Sequence, residues 1–131
     1  MAQVRNRSKE SEEDYLETIL ILMEQLQAVR SVDIAEEMGY SKASISVAMK
    51  NLKEKEYIEI SKEGYITLTP SGNKIASEIY ERHKVITDLL IGLGVNPVTA
   101  SEEACKIEHD ISAETFEAIK RHISIKKTNG V

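Results

Sequence analysis

The stretch CKIEHD at residues 105–110 holds the chain's only cysteine and one of its three histidines, with Glu108 between them. Cys105, Glu108 and His109 stand at i, i+3 and i+4, so on a helix their side chains leave one face about one turn apart. A thiolate, a carboxylate and an imidazole arranged in this way can share one cation. On spacing alone, a packed thiol beside an exposed, salt-bridged Glu–His pair is the plainer reading of the triplet. Further donors lie upstream. Asp14 and Glu17 in EDYLE are again i, i+3, and His83 falls on the apolar stripe of a long predicted helix, where an imidazole needs partners for its ring nitrogens. Each has a plainer role open to it. Asp14 can complete a cap begun at Ser11, Glu17 can be a solvated face residue, and His83 a satisfied core histidine. Together they offer the oxygen, nitrogen and sulfur donors that a first-row divalent ion accepts.

The elements that must position these residues are legible as pattern. SEEDYLETILILMEQL predicts a first helix capped by Ser11, with Leu16, Ile19, Leu20, Met23 and Leu26 on its apolar face. SVDIAEEMG predicts a short helix capped by Ser31 and closed by Gly39, and SKASISVAMKNLKEK a third helix capped by Ser41. The runs YIEIS and YITLT, separated by Lys62, Glu63 and Gly64, predict a hairpin. PSG at 70–72 opens a long helix to around residue 92, with Ile75, Ile79, His83, Ile86 and Leu90 on one stripe. Asn96 with Pro97 starts another helix, and Ser112 a last one through Ile123. The fold class expected is mainly α with a small β-hairpin. An N-terminal winged helix-turn-helix over 1–72 precedes a helical domain over 73–125, with 126–131 a disordered tail.

The third helix has two faces. Ile45, Met49 and Leu52 form an inward stripe, and Ala43, Ser46, Val47 and Lys50 an opposite one that is small, polar or basic and suits a DNA groove. The net charge of −5 argues against nucleic acid, since DNA-binding modules are usually basic, but the charge is segregated. Arg5, Arg7 and Lys9 precede the first helix and Lys42, Lys50, Lys53 and Lys55 cluster mid-chain, while SEE at 101–103 and EHD at 108–110 are acidic. A basic half and an acidic half predict two different partners. Near double-stranded DNA we expect Ser41, Lys42, Ala43, Ser44, Ser46, Val47 and Lys50, with Lys62 in the hairpin turn. Lysines and the helix N-terminus would hold phosphates, and Ala43 and Val47 would meet thymine methyls.

The 41% hydrophobic and 30% charged residues are those of a soluble globular protein, and no apolar run reaches membrane-spanning length. A cytoplasmic protein with no membrane partner is expected. One cysteine makes no internal disulfide. A metallohydrolase is disfavoured by the lack of a phosphate loop or nucleophile motif, so an enzyme is not expected.

EDYLETI, the winged helix, TPSG before a long helix, the histidine in YERHK and above all EACKIEHDIS resemble the metal-dependent repressors of the diphtheria toxin repressor and manganese transport regulator family, over about residues 8 to 124. The resemblance implies a homodimer that binds palindromic operators of metal-uptake genes with Mn2+ or Fe2+ as co-repressor, and that accepts Co2+, Ni2+ or Zn2+ in vitro. Its metal ligands would be Asp14, Glu17, His83, Cys105, Glu108 and His109. Cys105 departs from the manganese pattern, which has Glu there, and follows the iron pattern. Asp14 follows manganese where iron-type members have Met. Ser101 and Thr87 stand where the iron-type ancillary site needs His and Glu, so that second site is not expected. The resemblance leads us to expect the shorter manganese-type architecture, without the SH3-like third domain that many iron-type members carry. A cation shared by the winged helix and the later helices would fix their angle and so hold two recognition helices about 34 Å apart. The alternative is a winged-helix sensor released from DNA by metal or by oxidation of Cys105.

Overall fold

Cap residues set where several of the helices begin, and Gly39 in the left-handed conformation ends the second helix. A computed structural model describes the backbone of residues 7–128 and the side chains of 10–124. The order is α1 (Arg7–Gln25), α2 (Ser31–Met38), α3 (Lys42–Glu54), β1 (Ile58–Ile60), β2 (Ile66–Leu68), α4 (Pro70–Gly92), α5 (Pro97–Ile107) and α6 (Ala113–Thr128). One unit extends to Glu78 and a second begins at Ile79.

Within the first unit, Leu16, Ile19 and Leu22 of α1, Ile34 of α2, and Ile45, Met49 and Leu52 of α3 bury together with Ile58 and Ile66 of the hairpin. Each such side chain contributes roughly 1.5–3 kcal/mol on leaving water. The inward stripe of α3 is as expected. That of α1 differs, because Leu22 takes the core position while Met23 and Leu26 stay exposed. The antiparallel hairpin pairs Ile58 with Leu68 and Ile60 with Ile66. Val29 adds an isolated antiparallel rung outside the hairpin's own pairs, its O accepting the Ile66 N–H at 2.8 Å. Beside this rung the Arg30 guanidinium lies 4.5 Å from the centre of the Tyr65 ring.

Ser41, Asn96 and Ser112 cap as expected, each side-chain oxygen accepting a backbone N–H of the first turn that follows. Two helix starts differ. α1 begins at Arg7, so Ser11 is internal, Arg7 and Lys9 belong to the helix, and Arg5 lies outside the described residues. α2 is capped by Arg30, whose N–H is accepted by Asp33 Oδ2 at 2.8 Å, while Ser31 is the first helical residue. The last helix continues past Ile123 to Thr128, and 129–131 lie outside the described residues.

The first unit also takes in the opening turns of α4, because Ala76 is wholly buried in its core and Ile75 packs against it. Thr69 fixes this junction. Its hydroxyl donates to Glu56 O at 2.7 Å and accepts from Gly72 N–H at 3.2 Å. A Cβ on Gly72 would stand 2.0 Å from Tyr57 O. Helix propensity favours alanine over glycine by roughly 1 kcal/mol. Overpacking against a backbone carbonyl costs about 1–3 kcal/mol or more and outweighs it. Gly72→Ala is therefore expected to lower the thermal unfolding midpoint by several degrees, and an unchanged midpoint would contradict this contact.

Candidate metal centre and DNA-facing surface

Three donors converge within the second unit. One ligand atom each of His83 on α4, Cys105 on α5 and Glu108 at the end of α5 lie within 4.8 Å of one another. The helix stops at Ile107, so the expected continuous helical face is cut short, yet Glu108 keeps right-handed helical angles of φ −59° and ψ −27° and its N–H reaches Ala104 O at 2.9 Å. The helix-like spacing of Cys105 and Glu108 thereby survives the helix end. His109 follows in the turn.

Glu108 is wholly buried. Its Oε2 lies 2.9 Å from His83 Nδ1 and its Oε1 3.6 Å from His109 Nε2, so the carboxylate stands between two imidazoles. Oε1 accepts no hydrogen bond among the described residues. A buried carboxylate oxygen left open costs about 1–3 kcal/mol or more, which a cation there would recover. Hydrogen bonds first to Cys105 and then to Glu108 outweigh partial desolvation and push the His83 pKa up to about 10. Cys105 itself is exposed. Imidazole, thiol and carboxylate at this spacing fit a divalent transition ion.

Two residues that the sequence did not single out as ligands support this cluster. Arg82 Nη1 donates to Glu108 O at 3.0 Å and to Ile111 O at 2.8 Å, and its guanidinium lies 5.3 Å from the Phe116 ring centre. Ser101 Oγ lies 3.3 Å from His83 Nε2. Neither carries a local signal, because the partners are 18 to 29 residues away in the chain.

In the first unit, Asp14 and Glu17 bring carboxylate oxygens within 4.8 Å of each other on α1, and Glu17 is buried. Next to them the Tyr15 phenol packs edge-on to Tyr40, and burial, then Tyr40 and Asp14, raise its pKa. Ser41, Lys42, Ala43, Ser44, Ser46, Val47 and Lys50 are all exposed on α3, and Lys62 is exposed in the hairpin turn. Ser41 and Ser44 are also bonded to each other, Oγ to Oγ at 2.9 Å, in the cap of α3.

Residues 9–66 match the iron-dependent repressor N-terminal DNA-binding domain, and residues 69–129 match the iron-dependent repressor metal-binding and dimerisation domain. The chain belongs to the iron-dependent repressor family. It is 35% identical over 117 residues to the transcriptional regulator MntR of Salmonella typhimurium, covering 88% of this chain and 74% of that protein. It is 35% identical over 113 residues to an uncharacterised helix-turn-helix regulator of Methanocaldococcus jannaschii, covering 85% and 90%. A manganese-dependent transcriptional repressor solved in complex with manganese superposes with a TM-score of 0.79 at 27% identity over 86% of this chain. The chain spans about half of that structure's length, 52%. Members of the iron-dependent repressor family are regulators, which removes the hydrolase alternative. No described helix is long and apolar enough to cross a membrane.

The raised His83 pKa has a signed consequence. Folding favours its charged form, so the stability this adds is present in full below the ordinary value of 6.5 and is lost as pH rises through about 10. A cation taking that nitrogen must displace the proton, and affinity should fall about tenfold per pH unit below that range for each proton displaced. Calorimetric titration with Co2+ at pH 7.5, in buffers of differing ionisation enthalpy, should show His83→Gln releasing one proton fewer than the unaltered protein. Equal release would place the proton elsewhere.

Proposed function

We propose that this protein is a cytoplasmic homodimeric repressor that binds palindromic operators of metal-uptake genes when a divalent ion, Mn2+ or Fe2+, acts as co-repressor. The observation that carries the reading is the wholly buried Glu108 carboxylate with one oxygen on His83 and the other open beside His109. His83, Cys105, Glu108 and His109 are the ligands proposed on the second unit. Asp14 and Glu17 are proposed as further ligands on the strength of the sequence resemblance. A bound ion would supply positive charge to offset the carboxylates and would take the Cys105 sulfur as a further donor. Carboxylates suit Mn2+, the sulfur of Cys105 favours Fe2+ or Zn2+, and cellular availability would decide between ions of similar fit.

On the DNA side, α3 would lie in the major groove and the hairpin turn with Lys62 would meet the backbone. Lys42 and Lys50 would hold phosphates, and Ala43 and Val47 would face base edges. The reading is supported by the exposure of that whole stripe opposite buried Ile45 and Met49. Linkage requires that operator DNA tighten ion binding by the same factor by which the ion tightens operator binding.

Selection of sites from a random DNA pool under anaerobic conditions, without metal and with Mn2+ or Fe2+ at matched free concentration, tests the function. One palindrome enriched only with metal is expected. Enrichment that metal abolishes would instead establish the sensor released from DNA by metal. Lys50→Ala should weaken binding to all sequences and reduce the slope of log affinity against log salt by about 1, and an unchanged slope would remove Lys50 from the phosphate contacts.

A further inference from the structure

We infer that Ser101 is a positioning residue, whose hydroxyl holds His83 Nε2–H so that Nδ1 is the nitrogen presented to the cation. The inference rests on the metal site proposed above. An imidazole has two nitrogens, and which one meets a metal is set by the hydrogen bond made by the other. In His83 each nitrogen has an oxygen partner, and the Cys105 thiol also hydrogen-bonds the ring. Nδ1 lies 2.9 Å from Glu108 Oε2, on the side of the buried carboxylate, and Nε2 lies 3.3 Å from Ser101 Oγ. A serine hydroxyl can donate or accept, so it remains a partner for the Nε2 proton whether or not Nδ1 carries one. The exchange of proton for cation can then occur at Nδ1 alone, with the ring held in one tautomer and one orientation. Both residues are fixed by helices of the second unit, His83 on α4 and Ser101 in the middle of α5, whose N-terminus is locked by Asn96 and Pro97. Ser101 is also half-buried, which keeps water from substituting freely for its hydroxyl.

Partners that orient metal-bound histidines typically contribute 10- to 100-fold in affinity. The 3.3 Å separation is at the long end of the hydrogen-bond range, so the low end of that effect applies. Anaerobic titration of the full chain with Co2+ and with Mn2+ should find Ser101→Ala binding each ion about tenfold more weakly, with the thermal midpoint of the metal-free protein unchanged. Ser101→Thr keeps the hydroxyl and should restore most of the affinity. Nitrogen-15 spectra of the Zn2+-loaded protein should show His83 Nε2 protonated and Nδ1 bound. Equal affinity of Ser101→Ala and the unaltered protein, equal loss in the alanine and threonine variants, or a metal-bound Nε2 would each overturn the inference. If the unaltered chain binds neither ion, the metal site itself fails and the role of Ser101 with it.

Discussion

A carboxylate removed entirely from water governs the second unit. Ionised carboxylates are rarely tolerated without partners, because the desolvation cost amounts to several kcal/mol even after the surroundings relax. Glu108 meets this with one hydrogen-bonded imidazole on α4 and a second imidazole near its other oxygen. The geometry that makes this arrangement exact in register is indirect. Arg82, next to His83 on α4, grips the backbone carbonyls of Glu108 and Ile111, so the same helix that supplies the partner also sets the height of the carboxylate. Five donor hydrogens on one rigid guanidinium suit such a clamp better than a flexible ammonium. The turn between α5 and α6 is thus an organised part of the site and not a loose connection.

The first unit follows a different logic. Its helices and hairpin close around aliphatic side chains, and the polar work is left to an exposed stripe on α3. An acidic protein can address DNA if its positive charge is local, because screening at physiological salt limits exposed charges to a range of about 8 Å. α3 carries no arginine, the side chain whose planar fork best matches guanine, and on the proposed DNA-binding reading the serines, Ala43 and Val47 would offer shape and methyl contacts. Operator deformability would then be a source of discrimination.

Local signals read well where the cause is local. Ser41, Asn96 with Pro97, and Ser112 announced their helices because a cap is an interaction over two or three residues. The spacing of Cys105 and Glu108 likewise announced a shared cluster, even though α5 stops at Ile107, while His109 lies in the turn and is not grouped with Cys105. Ser11 and Ser31 had the right residue type in the wrong place. α1 reaches back to Arg7, and Asp33 already satisfies the start of α2. In the sequence Gly72 is only part of the PSG that opens a long helix, whereas in the fold it lets α4 meet the carbonyl of Tyr57, a contact between segments that no periodicity reports. Arg82 and Ser101 were beyond a pattern-based reading for the same reason. Their partners are distant in sequence and near only after folding.

Cys105 is the sole thiol of the chain and it faces solvent beside a carboxylate that does not. The cluster is therefore asymmetric in accessibility, with its soft donor outermost. A thiol-directed label has one address on this molecule, and that address is a proposed ligand atom. Occupancy of the centre can be followed as the rate at which a single sulfur reacts, which gives the protein an internal gauge needing neither operator nor added chromophore.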